Sequence, residues 1–190
     1  MNELFKQRMT VDEFIPWAMA QPRGRYELLN GEVLIMSPEK ARHWRTKAVV
    51  FIALAEAVKR AGLPCEVVPD GATVRINERT AYEPDALVYC GPRVSVDAVE
   101  VENPIIVVQV ASPRTSRIDT GAQFVGYFSL PSLKHYLIID AEKGVIIHHE
   151  RGHDDQVVSS SLTQGTLRLD PPGIDVAAAD LLPPPETADA

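Results

Sequence analysis

The run Ile105-Ile106-Val107-Val108-Gln109-Val110 constrains this 190-residue chain more than any other stretch. A strand sends successive side chains to opposite faces, so a run apolar at every position but one leaves neither face suited to water. The segment predicts a strand inside a sheet covered on both sides, with Gln109 as a polar group in that core strand. The stretch 119–130, ended by Pro131, reads as a helix supplying one of the covers.

The other cover is read at 38–62. Trp44, Ala48, Phe51, Ala55 and Val58 recur there at helical spacing, Gly62 is the stop, and Lys59-Arg60 lie near the negative dipole end. Nearer the N-terminus, Thr10-Val11-Asp12-Glu13 has the form of a capping box and predicts a short helix through Ala20, with Phe14, Trp17 and Ala18 on one face. Pro16 lies beyond its first turn and favours a kink. Two β segments, 26–29 and 32–36, flank Asn30-Gly31, whose tolerance of positive φ suits a type I′ hairpin turn.

Further short strands are expected at 66–68, 73–76 and 86–89, with Asp70-Gly71 as a hairpin turn joining the first two. His135 to Asp140 reads as a strand paired by hairpin with 145–149. The stretch 157–169 reads as edge strands, and 174–182 as a short terminal helix. One domain is expected over 10–182, after an extension over 1–9. A disordered tail is expected over 183–190, where Pro183-Pro184-Pro185 opens a polar end.

Composition narrows the function. A net charge of -7 argues against a strong, sequence-independent grip on phosphate backbones, which scales with the phosphates neutralised by Lys and Arg. Such a surface favours a protein partner. Cys65 and Cys90 allow at most one bridge and have no CxxC spacing, so a reduced, cytoplasmic setting is expected. The first eight residues lack the apolar run of a signal peptide, and no stretch offers about 18 uncharged apolar residues, so no membrane association is expected.

Among residue types suited to chemistry, Asp85 follows Pro84 at the start of a strand, where the fixed φ of proline helps aim a carboxylate at a sheet end. Pro-Asp is equally the opening of a turn. Glu27 on the first hairpin is read either as a second carboxylate or as a cross-strand partner. His43 is either a base near the site or a solvated first-turn residue. Arg114, Arg117, Lys40, Arg42, Arg45 and Lys47 form the basic groupings that could meet phosphates, each also readable as part of a solvated face. His148 and His149 are adjacent on a strand and point to opposite faces, which with His153 argues against a zinc site. Ser112 lacks the Gly-x-Ser-x-Gly elbow of serine hydrolases.

Tyr26-Glu27-Leu28 with Gly31-Glu32, Ser37-Pro38, His43, Glu83-Pro84-Asp85, Ser112-Pro113, Asp119 with Gly121, Tyr127, and Tyr136 through Asp140 occur in an order and spacing that resembles the Uma-type putative restriction-endonuclease family, a branch of the PD-(D/E)xK nuclease superfamily. The resemblance covers most of the chain. It implies an α/β, restriction-endonuclease-like fold: a mixed central β-sheet flanked by helices, with an N-terminal helix and hairpin. It also implies DNA as substrate, a homodimer, and a magnesium ion, with manganese as its substitute.

In that family the strand position of Gln109 carries Glu and the helix position of Gln123 carries Lys; Ala111 occupies the superfamily's older lysine place. The implied site comprises Glu27, His43, Asp85, Gln109 and Gln123, with Asp85, Glu27 and Gln109 as metal ligands. An amide in place of a carboxylate removes a negative charge from a metal site, and Gln123 brings no positive charge to a phosphate. Two functions are therefore expected in competition: a degenerate, weak or inactive hydrolase, and a non-catalytic protein that keeps the nuclease fold for binding. Asp119 is read as a helix cap.

Overall fold

The structure, a computed structural model, describes residues 8–111 and 117–183. In chain order the elements are α1 (Val11–Met19), β1 (Tyr26–Leu29), β2 (Glu32–Ile35), α2 (Ala41–Ala61), β3 (Cys65–Pro69), β4 (Val74–Asn77), β5 (Thr80–Tyr82), β6 (Ala86–Cys90), β7 (Ile106–Val110), α3 (Arg117–Phe128), β8 (His135–Asp140), β9 (Val145–Arg151), β10 (Val157–Leu162), β11 (Thr166–Leu169), β12 (Ile174–Ala177) and α4 (Ala178–Leu181).

The central sheet has six strands in the order β10-β9-β8-β7-β6-β3. It is mixed: β7 and β8 run parallel, and the other pairs are antiparallel. The parallel pair needs a crossover, and α3 lies within it. As its apolar run requires, β7 is buried except for the half-buried Gln109. Its alternate residues serve two cores. Ile106, Val108 and Val110 join Val50, Leu54 and Val58 of α2, while Val107 joins Tyr127 of α3.

A second, four-stranded sheet in the order β2-β1-β5-β4 packs Leu28 and Ala81 against Val11 and Phe14 of α1. The capping box of α1 closes both ways: the Glu13 N–H donates to Thr10 Oγ1 at 3.3 Å, and the Thr10 N–H donates to Glu13 Oε2 at 2.8 Å. Pro16 lies inside a helix that continues to Met19. Asn30 (φ 52) and Gly31 (φ 85) take the two positive-φ places of the β1–β2 turn, as a type I′ hairpin requires. Gly62 ends α2 in the left-handed conformation, its N–H donating to the Lys59 carbonyl.

Several expectations are corrected. The buried face of α2 is Thr46, Lys47, Val50, Ala53, Leu54, Ala57 and Val58, whereas Trp44 and Ala48 are exposed. An apolar-only stripe misplaces the face because two polar residues lie on it. Asp70-Gly71 joins no hairpin: β3 belongs to the central sheet and β4 to the smaller one. Thr80 to Tyr82 is a strand the sequence pattern missed, three residues being too few to show an alternation. Residues 174–182 begin as β12, paired with β11, before one short helix, because Ile174 and Val176 alternate inward. Cys65 and Cys90, expected as reduced thiols, stand opposite each other on β3 and β6 and are joined by a disulfide. Among the described residues no helix is long and apolar enough to cross a membrane. Ser112-Pro113, Arg114 and the tail from 184 onward lie outside the described residues, as do the side chains of Arg117 and Asp119.

Candidate active site

Asp85 stands one residue before β6, and antiparallel pairing brings it beside the far end of β7. Its N–H donates to the Val108 carbonyl at 3.0 Å, and its Oδ2 accepts the Val110 N–H at 2.6 Å. The backbone ladder thus ends on the carboxylate itself, which fixes its orientation without help from any ligand. Oδ1 faces the Lys47 ammonium at 2.7 Å, and Oδ2 lies 3.7 Å from His43 Nε2. Burial works against the Asp85 charge, yet His43, Lys47 and the Val110 N–H outweigh it and hold the carboxyl below its ordinary value.

Lys47 reaches this point from α2, one helical turn after His43. Its ammonium also contacts Glu39 Oε1 at 2.5 Å and Asp70 Oδ2 at 3.0 Å, and the side chain is 6% exposed. Burial alone would lower its pKa, but Asp85 with the hydrogen bonds to Glu39 and Asp70 raises it above the usual lysine value. Arg25 closes the outer side of the cluster. Its Nη2 and Nε bind Glu83 Oε1 at 2.8 and 3.1 Å, its Nη1 binds Glu39 Oε1 at 2.9 Å, and Nη2 also pairs with Asp70. Two permanent cations are thus held among Glu39, Asp70, Glu83 and Asp85.

Glu27, His43, Asp85, Gln109 and Gln123 all line one cavity of about 1110 Å³ at the end of the central sheet. Glu27 is buried, and its Oε1 accepts the Glu83 N–H at 3.0 Å. Burial pushes its carboxyl up to about 7, helped by the neighbouring Glu83 and Asp85, so near neutral pH it is a weak anion. Gln123, also buried, is brought to the cavity by α3, whose Gly126 lets the helix press on Tyr82: a Cβ there would lie 2.8 Å from Tyr82 Cε2.

Among the described residues, the donors that converge as a metal could require are those of Glu39, His43 and Asp85, all within 4.8 Å of one another. This set shares Asp85 with the ligands implied by the sequence and does not include Glu27. Of the basic residues read as solvated, Lys47 is the correction: it is buried among carboxylates. Arg42 pairs with Glu142 at 3.8 Å, and Arg45 lies over the Trp44 ring. His43 and Lys47, four residues apart on α2, share a helix face, which is the signal that could have found the cluster, while Glu39 lies two residues before the helix. Arg25 and Asp70 carry no comparable signal, being placed by the fold.

A mixed sheet between helices, with an acidic cavity at one sheet end, defines a nuclease-like α/β protein. The same fold is seen in the crystal structure of a putative nuclease of the DUF820 group from Anabaena variabilis, at a TM-score of 0.72 with 12% identity over 91% of this chain and 97% of that one. The chain belongs to the Uma2 family, described as putative restriction endonucleases, whose sequence model matches residues 11–179. It is also 25% identical over 174 residues to the uncharacterized protein slr1290 of Synechocystis, covering 90% of this chain and 89% of that protein.

Proposed function

We propose that the chain is a restriction-endonuclease-like protein whose site for DNA phosphodiester hydrolysis is degenerate, with weak or no cleavage. The observation that carries this reading is that Gln109 and Gln123, at the positions where relatives are expected to hold Glu and Lys, line the same cavity as Asp85. A Gln109 amide offers a neutral oxygen where a carboxylate would add a charge. A Gln123 amide donates a hydrogen bond where an ammonium would stabilise the developing charge of a phosphoryl transition state. Loss of one such electrostatic donor costs on the order of a hundredfold in rate.

The fit of a divalent cation points the same way. Magnesium, or manganese in its place, takes hard oxygen donors in a near-octahedral shell and would supply a Lewis acid to the phosphate. Glu39 and Asp85 offer such oxygens, with His43 as a nitrogen donor beside them, but the Lys47 ammonium already lies against Glu39 Oε1 and Asp85 Oδ1. Two unit positive charges about 4 Å apart repel by about 4 kcal/mol at the effective dielectric of a protein, and a divalent ion doubles this. With Lys47 in place and Gln109 neutral the natural residues do not fit such an ion, and Gln109→Glu would add the carboxylate that offsets the ammonium.

A second reading, a non-catalytic nuclease-fold protein that binds a protein partner or a second copy of itself, is favoured by the net charge of -7, which opposes a tight hold on DNA. Plasmid nicking with magnesium or manganese tests the first reading. The natural chain should nick at background, and Gln109→Glu combined with Gln123→Lys should gain cleavage that Asp85→Ala abolishes. Robust cleavage by the natural chain, lost in Asp85→Ala, would overturn the degenerate site. A folded double variant that cuts neither DNA nor RNA would count against a nuclease origin for the site and leave the binding reading.

A further inference from the structure

An ammonium has three N–H donors, and Lys47 meets three carboxylates: Glu39 at 2.5 Å, Asp85 at 2.7 Å and Asp70 at 3.0 Å. Two of the donors hydrogen-bond Glu39 and Asp70, and the ammonium is also ion-paired with Asp85. A lysine acting on a substrate phosphate needs a donor turned towards the cavity, and Lys47, 6% exposed, is not among the residues that line it. A compact cation surrounded by anionic oxygens is instead the role that a hard divalent ion fills in a metal-dependent hydrolase.

The surroundings support the same role. Asp85 is oriented by the Val110 N–H and needs no metal to fix it. Asp70 and Glu39 are each shared between Lys47 and Arg25, so their charges are already matched. His43, one turn before Lys47, sits 3.8 Å from Glu39 and 3.7 Å from Asp85, contacts too long for hydrogen bonds.

We propose that Lys47 is a tethered cation standing in for the divalent ion of this site, neutralising Glu39, Asp70 and Asp85 so that the cavity folds and persists without metal. The assignment rests on reading the cluster as a nuclease-type site. It differs from that reading in predicting a property of the natural chain, indifference to divalent ions, and a property of its removal, a gained metal site.

The test compares the natural chain with Lys47→Met, which keeps the length of the stem and deletes the charge. Melting temperatures are measured in a chelator and in excess manganese or magnesium, and manganese affinity by calorimetry. The natural chain should shift by less than about 1 °C on adding either ion. Lys47→Met should melt lower in chelator, recover by about 5 °C or more in saturating manganese, and bind manganese at least about tenfold more tightly than the natural chain. If Lys47→Met folds only with metal, the proposal is supported. If it folds under neither condition, the same comparison is made between Asp70→Asn and Asp70→Asn with Lys47→Met, where one carboxylate leaves with the cation and the same gain is expected.

Manganese binding by the natural chain as tight as that of the lysine-deleted chain would overturn the proposal. So would a folded deletion with no gain. Neither result touches the nicking experiment, whose failure would remove the nuclease reading but leave the charge role of Lys47 measurable.

Discussion

Arg25 shows how far single side chains decide this site. Its guanidinium spans Glu83, Glu39 and Asp70 from one planar fork, while Lys47 meets two of the three clustered partners from the other side. Arg25→Lys keeps the charge and loses the fork, because an ammonium cannot reach three separated carboxylates at once. The expected loss is about 2 kcal/mol, near that of a charge-assisted hydrogen bond, or about 5 °C in melting temperature. Melting of the two chains at one pH checks this, and an unchanged temperature would mean that the fork contributes only surface pairing. At this scale the sequence was legible where a residue type is unusual for its place. Gln109 in an apolar run, and Asp85 after a proline, both declare themselves. Arg25, Asp70 and Glu39 did not, since charged residues near turns are ordinary, and only the fold brings 25, 39, 70 and 83 together.

The elements behave as their local chemistry dictates, and α3 gives a test in which two glycines should respond with opposite signs. At Gly126 a Cβ would meet Tyr82 Cε2 at 2.8 Å, and Tyr82 is itself packed on Tyr127 with ring centroids 5.3 Å apart, so the ring has nowhere to turn. At Gly121 a Cβ would meet nothing within 4 Å. Gly121→Ala should raise the melting temperature by a few degrees, because alanine favours a helix over glycine by about 1 kcal/mol. Gly126→Ala should lower it despite the same gain, since overpacking costs about 1 to 3 kcal/mol and displaces the helix that carries Gln123. Thermal melts of both chains decide it, and a rise in both would show that the contact with Tyr82 is soft. Elements with a clear period or cap were legible: the Asn30-Gly31 hairpin, the Thr10 cap and β7 all follow their residues. The face of α2 was not, because Lys47 is buried by ion pairs that no hydrophobic pattern records. Nor was the partner of β3, because the Asp70-Gly71 turn leads out of one sheet into another.

At the scale of the whole molecule, a pH-sensitive contact away from the cavity ties the central sheet to the β11–β12 ribbon. His135 is fully buried on β8, and its Nε2 lies 3.0 Å from the Pro171 carbonyl in the loop between β11 and β12. A carbonyl can only accept, so His135 carries its proton on Nε2 and its Nδ1 must accept from His148 Nε2, 3.0 Å away on β9. In the neutral state, which burial favours for both rings, each is thus held in one tautomer. Burial pushes both below the ordinary histidine value; the Pro171 carbonyl partly offsets this for His135, and the His135 charge adds to it for His148. The unfolded chain, titrating near 6.5, then binds more protons than the folded one in the interval below that value, so stability is complete above it and falls as pH drops through it. Glu27, raised to about 7, takes up a proton in the folded state over much of the same range and acts with the opposite sign. The useful readout is thus a difference between chains in which Glu27 is common. His148→Gln keeps an N–H to donate to His135 and removes one titrating ring. Between pH 7.5 and pH 5, conditions about a unit above and below the ordinary histidine value, its melting temperature should fall by several degrees less than that of the natural chain. Equal falls would mean that the buried pair does not couple the ribbon to the sheet through its protonation.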